Sequence, residues 1–178
     1  MATEDLFLES ARKRFAEYKA LGEKALDQLS GEELHWRPNE ASNSIALLIK
    51  HLWGNMRSRW TNFLTEDGEK EWRLRDEEFE TPAASPELLR RQWEEGWKAL
   101  LDALNALQPA DLTRTVTIRT QPLTVIDAIN RQLMHYAYHV GQIVSLAKWC
   151  RGDAFQTLSI PKGQSDAYNA QLKQEKHT

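Results

Sequence analysis

The chain has only one cysteine, Cys150, so an intrachain disulfide is excluded and a reducing compartment suits it. It has no surplus of positive charge: the formal net charge is −3 and the pI is near 6.0. No run of Lys and Arg marks a basic face, so phosphate-backbone binding is not expected. No apolar run approaches the roughly 20 residues that span a bilayer. The segment MATEDLFLES lacks the basic-then-apolar layout of a signal peptide. Internal repeats and low-complexity blocks are also missing. These absences lead us to expect a soluble cytoplasmic protein with neither nucleic-acid nor membrane partners.

What remains is an ordinary globular balance, with 41% hydrophobic and 28% charged residues in 178. That length fits one domain, residues 1–178, with a core large enough to fold unaided. Seven tryptophans stand at positions 36, 53, 60, 72, 93, 97 and 149. As large helix-packing residues, most of them are expected in the core, with one or two lining a cleft.

Hydrophobic periodicity marks four helices. The first runs from about Thr3 to Leu29, with Phe7, Ala11, Phe15, Tyr18, Leu21 and Ala25 on its apolar side. SGEELHWRPNEASNS then breaks the period as a loop with a short turn. A second helix starts near Asn43, among the capping residues Ser42, Asn43 and Ser44, and carries Ile45, Leu48, Leu52, Met56 and Phe63. The charged stretch 66–84 has no clear period and reads as a solvated excursion. The third helix has the clearest start: Ser85 as N-cap, Pro86 at the first position and Glu87 at the dipole. Its stripe of Leu89, Trp93, Trp97, Leu100, Leu104 and Leu107 stops before Pro109. TRTVTIRT, residues 113–120, alternates like a strand but has no evident partner. The fourth helix begins around Pro122 to Thr124, runs to about Trp149 and ends at Arg151-Gly152. Residues 151–178 read as a polar C-terminal tail. Four long helices with long crossovers predict an all-α four-helix bundle.

Histidine placement is the chemical signal. In MHYAYHVGQI, His135 and His139 lie four apart and share a helical face with Ala128, Gln132 and Leu146. That spacing alone leaves core packing and metal coordination both open. His51 lies on or beside the apolar stripe of the second helix, with Asn55 one turn further on. Three inward imidazoles without metal or acids are hard to satisfy, whereas together they make a facial set of nitrogen ligands with positions left open. Of the other histidines, His35 is expected to bond locally and His177 to lie in a frayed end. Met134 and Tyr136 flank His135, so the glutamate of an HExxH protease helix is absent.

SIALLIKHLWGNM in the second helix and MHYAYHVGQI in the fourth resemble the two signature segments of the DinB-like (YfiT-like) superfamily. LSIPKGQS resembles one uncharacterised branch of it, known as a domain of unknown function. The likeness spans almost the whole chain. It implies an up-down-down-up four-helix bundle and a divalent metal ion, commonly zinc or nickel. The superfamily's metal-ligating histidines fall on His51, His135 and His139. Its members include bacillithiol-dependent thiol transferases, mycothiol-dependent isomerases and many proteins without known activity.

A metal held by three neutral imidazoles would keep its full charge and lower the pKa of a bound thiol or water. The first case implies an S-transferase acting on a small electrophile with a low-molecular-weight thiol as partner, and the second a hydrolase. A non-catalytic metal- or ligand-binding bundle, dimeric through an exposed helix face, is the alternative. Gln132, Asn55 and Tyr138 are the expected orienters of the imidazoles, with Tyr138 facing away. Gly141 suggests a close helix approach or room beside the metal, with the first favoured. Cys150 reads as an inert packing residue beyond the metal's reach. SIPKGQS lacks the P-loop spacing and suggests a turn folding the tail over the bundle, with Lys162 available for an anion contact.

Overall fold

A computed structural model describes residues 2–78 and 84–175. Most of the chain is helical: α1 Thr3–Leu26, α2 Ile45–Trp60, α3 Pro86–Ala106, α4 Val125–Arg151 and α5 Ser165–Glu175. Strands β1 Thr115–Ile118 and β2 Gln121–Thr124 form a small antiparallel sheet. Among the described residues no helix is long and apolar enough to cross a membrane. His177 and residues 79–83 of the charged excursion lie outside the described residues.

The long helices after α1 begin where their capping chemistry dictates. Ser44, Ser85 and Thr124 each accept the backbone N–H three residues on, at 3.3, 3.2 and 3.2 Å. Gly152 closes α4 with φ 54°, a left-handed conformation that glycine adopts freely. The first helix stops at Leu26 rather than Leu29, and the second at Trp60, so Phe63 lies beyond it.

The principal helix pairings are α2 with α3 and α1 with α4, and α1–α3 and α2–α4 contacts join the two pairs. Phe15, Trp60, Trp97 and Tyr136 meet in the core, with Phe15 5.9 Å from Tyr136 and Trp97 also 5.9 Å from it. Only three of the seven tryptophans, Trp60, Trp93 and Trp97, are buried. Trp72 and Trp149 are exposed, against the expectation of a mostly internal set. Bulk rather than polarity explains the difference: a wide indole packs part of its surface, Trp149 against Trp36 and Trp72 beneath Arg57, and leaves the rest wet.

Two further expectations are corrected. The strand at 115–118 does have a partner, QPLT, which sequence periodicity assigns to the start of α4. Pro122 is tolerated because a two-stranded sheet consists of edges only. The linking pair Arg119-Thr120 takes φ 54° and 62°, a left-handed turn without glycine. Asp67 supports it by accepting the N–H groups of Arg119 and Thr120 at 2.8 and 2.7 Å. The tail, read as polar, also carries apolar packing and a helix. Phe155 and Leu158 pack against the core, and the chain turns at Pro161–Gln164. Helix α5 then runs with its described side chains exposed, so it does not cover the other helices.

Candidate metal centre

Helical spacing sets the site. On α2, His51 and Asn55 are one turn apart; on α4, Gln132, His135 and His139 follow at three and four residues. The α2–α4 contact brings the two faces together. One ligand atom from each of His51, His135 and His139 lies within 4.8 Å of the others, so the three could hold a metal ion. The Nε2 atoms of His51 and His135 are 3.4 Å apart, and those of His135 and His139 are 3.1 Å apart. His51 is buried, and the other two are half-buried. They line a cleft of about 330 Å³ together with Asn55 and Gln132.

The opposite ring nitrogens fix the tautomers. His51 Nδ1 donates to Glu78 Oε2 at 2.9 Å, and His139 Nδ1 donates to Gln142 Oε1 at 2.8 Å. In the neutral rings, both Nε2 atoms therefore present lone pairs. His135 stands between them and has at most one Nε2–H to serve two acceptors. Its own Nδ1 is buried with no hydrogen-bond partner among the described residues. Burial first, then the neighbouring histidines, pushes the His135 pKa down to about 3, and burial also lowers that of His139. Both are neutral at pH 7, the form that ligates metals.

This donor set fits a divalent cation. Zinc–nitrogen bonds of about 2.0–2.1 Å put cis nitrogen ligands roughly 3.0–3.4 Å apart, the range of the two spacings here. The convergent lone pairs lack enough protons to satisfy one another, and a cation would satisfy all three.

Glu78 is the residue that sequence reasoning missed. It comes from the charged excursion, which is not simply solvated: Lys70, Arg73 and Glu78 are buried. Arg73 pairs with Glu78 through Nε at 2.7 Å and Nη2 at 3.0 Å. Burial alone would raise the Glu78 pKa, but the hydrogen bonds from His51 and Arg73 outweigh it and hold the carboxylate ionised. Gly54 makes room for this contact, since a Cβ there would overlap Glu78 Oε1. The local run Asp76-Glu77-Glu78 could not single out its buried member.

The expected orienters behave differently. Asn55 and Gln132 line the cleft, but Asn55 Oδ1 accepts from the Tyr136 hydroxyl at 3.0 Å. That hydroxyl in turn accepts from Trp60 Nε1 at 3.0 Å. Tyr138 is exposed, as expected, and its hydroxyl accepts from Gln142, behind His139. No tryptophan lines this cleft among the described residues.

Other sequence candidates fall elsewhere. His35 bonds the Ala84 carbonyl at 3.0 Å, a long-range contact rather than a local one. Gly141 is exposed with nothing within 4 Å of a Cβ, so neither close helix approach nor room at the metal accounts for it. Besides Gly54, close approaches fall at Gly22, against Trp93, at Gly31, against Pro86, and at Gly96, against α2. Cys150 is half-buried, and burial raises its pKa, which keeps it a thiol. Lys162 is exposed and does not line the cleft.

None of the curated proteins matches the chain. A family model does match, over residues 2–164. The chain belongs to the family described as protein of unknown function (DUF1572).

Proposed function

We propose that the chain is a metal-dependent enzyme of the DinB-like superfamily, folded as an up-down-down-up four-helix bundle. In this reading His51, His135 and His139 hold a divalent ion, zinc or nickel, and the reaction joins a low-molecular-weight thiol to a small electrophile. The observation that carries it is the convergence of three Nε2 atoms whose protons are committed elsewhere or too few. When bound, the ion would supply a Lewis acid that favours thiolate over thiol at neutral pH.

The chain's own residues do the positioning. Glu78 and Gln142 hold His51 and His139 in the tautomer that offers Nε2 to the cleft. Arg73 keeps Glu78 ionised and fixed. Asn55 and Gln132 border the space in which the thiol and electrophile would meet. In the transfer, sulfur bonds to the electrophilic carbon, the leaving group departs with its electron pair, and the thiol proton passes to solvent.

Elemental analysis of untagged wild-type protein tests the centre. Stoichiometric metal is expected, and it should be lost in His135→Ala and His139→Ala. A metal-free wild type, or a variant that keeps its metal, would overturn the ligand assignment. The reaction is tested by incubating metal-loaded protein with cellular thiols and model electrophiles. Failure to form a conjugate above a metal-free control would remove the transferase reading.

A further inference from the structure

The cleft carries more positive charge than its histidines account for. Five arginines line it: Arg59 from α2, Arg73 and Arg75 from the excursion, Arg119 from the hairpin turn and Arg131 from α4. They come from four separate stretches, so no basic run appears in the sequence. Among the described residues no carboxylate joins them in the lining. Behind the wall, Glu69 pairs with Arg59 at 3.2 Å and with Arg119 at 2.8 Å, while Glu78 pairs with Arg73. Two carboxylates thus answer three guanidiniums. Arg75 and Arg131 have no ion pair among the described residues.

Guanidinium stays charged at any working pH, and like charges gathered around a concave wall repel one another. The cleft also holds directional polar groups. Gln132 is 3% exposed and its Oε1 has no partner among the described residues. Arg59 is 6% exposed, with an unpartnered Nε. Distance along the helices sets the scale: Arg131 precedes His135 by one turn, about 6 Å of rise, and Arg59 follows His51 by two, about 12 Å. A small molecule in a space of about 330 Å³ can reach both the histidines and the arginines.

We propose that these arginines form an oxyanion subsite, taking a carboxylate or phosphate group of the small molecule whose reacting atom is presented to His51, His135 and His139. Arg75 and Arg131 are the guanidiniums free to close on it. The place of the reacting atom rests on the metal-centre reading, whereas capture of the anion does not.

The test is calorimetric titration of wild-type protein, as purified and after chelation, with inorganic phosphate and separately with malonate. Neutral malonamide is the control. Saturable binding of either anion to the chelated protein, absent for malonamide, is expected, and the stronger of the two tells phosphate from carboxylate. The double variant Arg75→Gln/Arg131→Gln should weaken binding by about tenfold or more. Arg90→Gln, which changes an exposed arginine outside the cleft, should leave it unchanged. No binding of either anion at millimolar concentration, or equal binding by the double variant, overturns the subsite. Metal content measured on the same samples separates the two readings. Anion binding by as-purified protein that holds no metal refutes the metal centre alone, and stoichiometric metal without binding of either anion refutes the subsite alone.

Discussion

Glu78 Oε2 accepts the Nδ1 proton of His51 at 2.9 Å, so a side chain from the 66–78 segment between α2 and α3 sets the tautomer of a helix-borne histidine. Outer partners of this kind change metal affinity by roughly ten- to hundredfold when altered. Glu78→Gln is therefore expected to weaken metal binding by about that factor in competition with a chelator. It also leaves the Arg73 charge, on a side chain only 2% exposed, without its counter-ion. A stability loss of about 3 kcal/mol should accompany the change. Unaltered affinity would mean that Glu78 does not orient His51.

Gly54 permits the approach of Glu78 to α2. In an exposed helix, Gly→Ala gains about 1 kcal/mol. Here the sign should reverse: the added methyl displaces the carboxylate, and Gly54→Ala should lose about 1–3 kcal/mol and bind metal more weakly. Thermal melts with and without metal check both parts. A stabilised variant with normal affinity would refute the contact.

Asp67 gives a pH dependence. Its partial burial works to raise its pKa, but the N–H groups of Glu69, Thr120 and Arg119 prevail and hold it at about 2, below the usual 3.8. The folded-state pKa is the lower one, so the carboxylate's contribution is complete above about pH 3.8 and is lost as pH falls towards 2. Asp67→Asn should lower stability by about 1 kcal/mol at pH 7 and flatten the acid limb of the curve. Denaturant melts from pH 2 to 7 measure this, and parallel acid limbs for the two proteins would contradict it.

Tyr136 is fully buried, and its hydroxyl joins Trp60 to Asn55. Tyr136→Phe conserves the ring but leaves a buried indole N–H and an amide oxygen unpaired, a cost of about 1–3 kcal/mol. Equilibrium unfolding should show it. A variant as stable as wild type would mean that water replaces the hydroxyl.

What could be read from the sequence was local. The Ser85-Pro86 start of α3 needs only neighbouring residues, and the three histidines lie on apolar stripes that helical spacing exposes. What could not be read depends on distant partners. β2 contains a proline and its turn lacks glycine, and the feature that supports the turn is Asp67, more than fifty residues away. Glu78 follows Asp76 and Glu77, which are exposed, and only the fold selects it. The arginines converge from four stretches. For α5 a signal was present: Tyr168 and Leu172 are four apart after Ser165, though they bury too little to stand out in a polar tail.

Tyr136 follows His135 directly, so one residue is keyed into the core while its neighbour faces the cleft. Successive helical residues differ by about 100° in direction, so any turning of α4 about its axis must move both. The hydroxyl clamped between Trp60 and Asn55 therefore acts as a dowel that sets the aim of His135. With no hydrogen bond to its own Nδ1 among the described residues, His135 takes its orientation from the interior of the protein, while Glu78 and Gln142 steer the other two rings.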